Sequence, residues 1–200
     1  MKKLLLILTL AFAPLASAMA LDLPADTLLF VYKLHGQTRK YKMKFSEIPG
    51  GKAIDWKILR NGHWQQGRYE MSEAALRSAS AMSFRQPVDG ELVVLPDTET
   101  FGIVPADFLQ QLKRDGRAAY DSTIWQLAPS DDSDSHVSES VASSMPTSPV
   151  GAVGDGIHLL HVRDTREGAE MWILDNPSWP IIWRMSSNPL EINWTTQPLH

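Results

Sequence analysis

Residues 53–71 read AIDWKILRNGHWQQGRYEM, and the Asn61-Gly62 pair at their centre decides the fold. Both residues tolerate the positive φ that a type I′ turn demands, so the pair predicts a two-residue β-hairpin. That turn sets a register in which Arg60 faces His63, Ile58 faces Gln65, Trp56 faces Gly67 and Asp55 faces Arg68. Side chains alternate along a strand, so Ile54, Trp56, Ile58, Tyr69 and Met71 share one face, and that face is expected in the core. The other face carries Asp55 and Arg68 as opposite charges across the ladder. Trp56 is placed to cover the bare backbone at Gly67. Turn chemistry and apolar alternation are separate signals, and here they agree.

A hairpin precedes this one, with a turn expected at Gly36-Gln37, glycine first as a type II′ turn prefers. Leu28, Phe30, Tyr32, Leu34, Tyr41, Met43 and Phe45 then fall on one side, and Lys33, Lys40, Lys42 and Lys44 on the other. The pairing puts Lys33 opposite Lys40, a like-charge contact that costs a few tenths of a kcal/mol when exposed. After the central hairpin, Ser72 is a natural N-cap for a short helix through Ala74, Ala75, Leu76 and Arg77. Pro87 and Asp89-Gly90 mark a turn, Glu91 to Leu95 reads as a strand, and Pro105 introduces a second helix over Ala106 to Arg114. Ala118 to Leu127 returns to strand.

From Pro129 to Gly156 the composition shifts to Ser, Asp, Pro and small residues without periodicity, which reads as a flexible insertion. Beyond it lie four short strand patterns: Ile157 to Asp164, Ala169 to Leu174, Ile181 to Met185 and Leu190 to Thr196. They are too short to build an independent core with ease, so one domain, 21–200, is expected to include both sides of the insertion. The fold class is mainly β: a curved antiparallel sheet or partial β-barrel with one or two short helices.

The amino terminus has the three parts of a signal peptide. Lys2 and Lys3 form a positive start, Leu4 to Pro14 an apolar stretch, and Ala16 to Ala20 the small residues a signal peptidase accepts, so residues 1–20 are expected to be removed on export. The apolar stretch is about half the roughly twenty residues that span a bilayer. No cysteine occurs, which excludes a lipobox anchor and any disulfide. No second apolar run approaches membrane-spanning length, so no transmembrane span is expected after cleavage. The formal net charge of -4 argues against nucleic acid as a partner.

Motifs that carry chemistry are sparse. There is no G-x-S-x-G, no H-E-x-x-H and no EF-hand spacing, and the Gly151 to Gly156 run lacks the strand and helix that a phosphate-binding loop needs. His158 and His161 are three apart on a strand and point to opposite faces, so they are not expected to share a metal, and no metal or cofactor is assigned. A four-residue loop at Thr165 to Gly168 would set His158 opposite Asp175 and His161 opposite Trp172. A histidine beside a carboxylate can serve as a general base, or it can be a structural pair. The seven tryptophans are many for this length. Aromatic residues in a curved sheet fill a core or line a ligand cavity, and Tyr32, Tyr41, Trp56 and Tyr69 are the candidates for a lining. Trp64, across from Leu59 on the charged face, is expected to form an exposed contact spot.

The run from Gly168 to Pro177 (GAEMWILDNP), followed by Pro180-Ile181-Ile182, Asn188-Pro189 and Trp194, resembles exported β-rich domains of unknown function from Bacteroidetes-type bacteria, near the DUF3108 group. WQQGRY, from Trp64 to Tyr69, is similar in the same way. The resemblance implies a curved sheet in the bacterial envelope and transfers no functional residue. The first functional expectation is a non-catalytic periplasmic or secreted binding or carrier module for an apolar or envelope-derived ligand. A structural or interaction protein with a solid core is the alternative, and a hydrolase-type enzyme using His158 and Asp175 a second one.

Overall fold

The computed structural model describes residues 27–129 and 157–199. The expected signal peptide and, apart from Pro129, the Ser/Asp/Pro-rich insertion lie outside the described residues.

Strands β1 (Thr27–Leu34), β2 (Gln37–Ile48), β3 (Gly51–Arg60) and β4 (His63–Ser72) form an antiparallel meander. The β3–β4 turn has positive φ at Asn61 and Gly62, as type I′ requires. Arg60 faces His63, Trp56 faces Gly67 and Asp55 faces Arg68, the register that the sequence dictates. Ile54, Trp56, Ile58, Tyr69 and Met71 are all buried. Asp55 and Arg68 form an ion pair at 3.2 Å on the opposite face.

The first hairpin corrects the expected turn by one residue. Its central pair is His35-Gly36, with φ of 45° and 77°, and Leu34 faces Gln37. Moving the turn by one residue changes each pairing by two, so every side chain keeps its face. Leu28, Phe30, Leu34, Tyr41, Met43 and Phe45 are buried as expected. The slide also removes the like-charge contact: Lys33 faces Thr38 and Lys40 faces Val31.

Helix α1 (Glu73–Ser78) follows, capped by Ser72, whose hydroxyl accepts from the Ala75 N–H at 3.1 Å. The connecting segment carries β5 (Ala81–Met82), β6 (Leu92–Val94) and β7 (Glu99–Thr100). β5 and β7 form a separate two-stranded sheet, and β6 joins the edge of β4 in parallel, the one departure from antiparallel pairing in the main sheet. Helix α2 (Ala106–Asp115) ends at Gly116, whose φ of 71° is the left-handed cap conformation. Its apolar side buries Phe108, Leu109 and Leu112, and Phe108 packs on Tyr120.

The stretch expected as one strand at 118–127 is a hairpin of β8 (Arg117–Tyr120) and β9 (Thr123–Leu127). Its turn, Asp121-Ser122, has positive φ at both residues without a glycine. Tertiary bonds hold it: the Asp121 N–H donates to Ser80 O, and its carboxylate accepts from the Met82 N–H. β10 (Leu159–Asp164), β11 (Glu170–Leu174), β12 (Ile182–Ser186) and β13 (Ile192–Pro198) complete a second meander, with the expected four-residue loop between Asp164 and Ala169.

The two meanders join through β1 and β13, where Leu28 faces Pro198 and Tyr32 faces Trp194. Among the described residues the result is one eleven-stranded curved sheet ordered β6-β4-β3-β2-β1-β13-β12-β11-β10-β9-β8, whose outermost strands β6 and β8 do not pair to close a barrel. Its inner face, with the helices, forms a single core running from Leu28 and Phe45 to Trp183 and Trp194. Among the described residues no helix is long and apolar enough to cross a membrane.

Candidate functional site: an apolar cleft beside the β1–β2 turn

On the inner face, β1 supplies Tyr32 and Leu34, and β2 supplies Arg39, Tyr41 and Met43. Strand alternation puts these side chains on one side. Arg39, the charged member of an otherwise apolar row, falls at the rim, where it is partly exposed. Trp194 of β13 closes one flank: its ring stacks on Tyr32 at 5.3 Å, and its indole N–H donates to Ile182 O. The outer wall is irregular chain, Ser83 to Pro87, with Phe101 and Gly102 behind it. These groups bound an open cleft of about 50 Å³ whose lining is mostly apolar.

The four aromatic candidates do not play equal parts. Tyr32 and Tyr41 line the cleft and meet edge to face at 5.6 Å. Trp56 lies beneath Tyr41 at 5.9 Å and is seated against Gly67, so it supports the cleft without reaching it. Tyr69 is fully buried, stacked on Phe101 at 4.3 Å, and its hydroxyl donates to Arg85 O at 2.9 Å, tying the irregular wall to the sheet. Burial pushes the Tyr32 phenol well above its usual range, and the nearby Tyr69 and Tyr41 phenols add to the shift. Burial has the same effect on Tyr69. Both phenols stay neutral at physiological pH, so neither supplies a base there.

The volume limits what the cleft holds. It is about a third of the ~150 Å³ engineered cavity that takes benzene and well under the roughly 300 Å³ at which ligand pockets begin. A larger occupant has to move the wall. Ser83 to Pro87 belong to no strand or helix, and the Ser83 N–H bond to Thr100 O and the Tyr69 bond to Arg85 O hold the segment in place. Arg85 is also ion-paired with Glu91.

Trp64 and Leu59 face each other across β3–β4, each 56% exposed, as an exposed contact spot requires. His158 and Asp175 are opposite each other, and the Asp175 N–H donates to His158 O at 2.8 Å. Their side chains make no acid–base pair: the Asp175 carboxylate is ion-paired with Lys113 of α2, and His158 is exposed. His161 stacks on Trp172 at 4.2 Å, and the Arg184 guanidinium lies 4.3 Å from the same ring. Among the described residues no group of His, Asp and Glu is arranged to hold a metal.

The sequence reading missed Leu34, Arg39, Met82 and the 83–87 wall as parts of one site. Arg39 was the available signal, since it interrupts the row Tyr41, Met43 and Phe45 on the core-facing side of β2.

Fold and site together define an open, curved antiparallel sheet with an apolar cleft over its middle strands, beside the β1–β2 turn. Comparison with protein-family models, with curated proteins and with solved structures finds no match.

Proposed function

We propose that the protein is a non-catalytic binding or carrier module whose cleft takes the end of a single-chain apolar molecule with an acidic head. The observation that carries this reading is the cleft itself: Tyr32, Leu34, Tyr41 and Met43 supply an apolar floor, while Arg39 and Arg85 stand in its lining. Alkyl groups gain about 0.8 kcal/mol per buried CH₂, so a few methylenes admitted behind Phe84 would give measurable affinity. A guanidinium at the rim matches a carboxylate or phosphate head. The signal-peptide pattern at residues 1–20 and the resemblance near the DUF3108 group support an exported, envelope setting, in which such amphiphiles are abundant.

The rival reading is an interaction protein with a solid core, and the small volume of the cleft favours it. Organic extraction of the purified protein followed by mass spectrometry separates the two. The carrier reading expects a reproducible acyl-chain species from the wild type and none from Leu34→Trp, whose indole fills the cleft. An empty wild-type extract, or equal recovery from both proteins, overturns it.

A further inference from the structure

The outer face of β1–β3 has a property that the cleft does not explain. Lys33, Lys40, Lys42, Lys44 and Lys57 all lie on it, and all but the partly covered Lys33 are exposed. Lys42 and Lys57 are direct cross-strand partners, a like-charge contact that a sheet normally avoids. Among the described residues none of the five forms an ion pair. Asp55, the acid facing Lys44, is engaged by Arg68. On the other flank β13 offers only Asn193, Thr195 and Gln197 opposite β1. The protein as a whole carries a formal charge of -4, so this positive field is local. At physiological salt it reaches only about 8 Å, and it acts on a surface in contact with it.

Beside these cations, on the same outer face, stands the exposed Leu59–Trp64 pair, with the Lys42 ammonium 5.4 Å from the Trp64 ring. We infer that this face docks on an anionic phospholipid bilayer, with the lysines over headgroup phosphates and Leu59 and Trp64 entering the interfacial layer. Lysines without acidic partners match a sheet of negative charge, and their compact ammonium groups suit a fluid array better than a fixed bidentate site. An indole paired with an alkyl side chain is the equipment of a membrane interface, where one end of the ring is wet and the other apolar. A soluble polyanion would satisfy the charges and leave Leu59 in water. The inference stands apart from the cleft reading, because the surfaces lie on opposite faces of the sheet.

The test is co-sedimentation of the purified protein with phosphatidylcholine vesicles, with and without phosphatidylglycerol. Binding is expected only where phosphatidylglycerol is present and should fall with added salt. The K40Q/K42Q/K57Q variant should bind roughly a hundredfold more weakly, at about a factor of five per lysine removed, and Trp64→Ala several-fold more weakly. These positions are exposed, so unchanged thermal unfolding of the variants shows that the fold is intact. Binding to pure phosphatidylcholine, binding that survives the lysine substitutions, or an unaffected Trp64→Ala overturns the proposal. So does retention on a soluble sulfated polysaccharide without vesicle binding. Wild type and variants are compared as the same chain from Leu21 onward, so attachment through any other part of it would survive the substitutions and count against the docking face.

Discussion

Gly67→Ala adds a single methyl group and tests the register on which the fold rests. A Cβ at this position would lie 2.7 Å from Trp56 Cζ2, 2.9 Å from Trp56 Cε2 and 2.8 Å from Glu91 O. Carbon pairs prefer about 3.5–4.0 Å, so the indole has to retreat by nearly 1 Å. It has little room to do so, being 2% exposed with Tyr41 against it. The carbonyl of Glu91 is fixed as well, because it accepts the Arg68 N–H at 3.0 Å where β6 joins β4. Overpacking of this kind costs about 1–3 kcal/mol. The loss of glycine's freedom in the unfolded chain returns about 0.4–1 kcal/mol. A net destabilisation of about 1–2 kcal/mol is expected, read as a lower urea midpoint at constant m-value. In a Trp56→Leu background the same alanine should cost much less, with a coupling of at least ~0.5 kcal/mol. A Gly67→Ala protein as stable as wild type, or equal costs in both backgrounds, would refute the seating of Trp56 on Gly67 and the register with it.

Tyr120→Phe should lose about 1–3 kcal/mol, because it strips Thr100 of a 2.7 Å hydrogen bond at a position with no solvent access; adding Thr100→Val should restore much of the loss in the same denaturation assay. An unchanged midpoint in the single variant would count against that bond. For Asp164, burial opposes the charge, but the Thr123 hydroxyl and the Arg166 and Glu167 N–H groups together hold the carboxyl below its ordinary range. The unfolded chain therefore takes up this proton first as pH falls, so the stabilisation is complete above about pH 5 and is lost as pH drops through the folded value. Asp164→Asn cannot titrate, and its stability should fall less steeply than that of wild type below about pH 4. Parallel acid-side curves would contradict this.

The features legible in the sequence are those that short stretches dictate. Asn61-Gly62 set its hairpin because the turn chemistry and the flanking alternation are local, and Ser72 and Pro105 marked helix starts for the same reason. The first hairpin turns at His35-Gly36 rather than Gly36-Gln37 because glycine suits either turn position, and the earlier turn parts Lys33 from Lys40. The Asp121-Ser122 turn carries no glycine and depends on Ser80 and Met82, so nothing near it in the chain announces it. The parallel docking of β6 on β4 likewise depends on residues that meet only after folding. Of the site, Tyr32 and Tyr41 were legible because strand alternation orients them. The outer wall at 83–87 was not, since irregular chain has no period to read.

Entry of an apolar chain into the cleft can be followed at atomic range by methionine-methyl NMR. Met43 and Met82 line the cleft, whereas Met171 is buried on β11 of the second meander and is not part of the lining. Titration with dodecanoate below its micelle concentration should shift the Met43 and Met82 resonances saturably and leave Met171 in place. No shift at any methionine, or a shift of Met171 as large as that of the other two, would contradict the account.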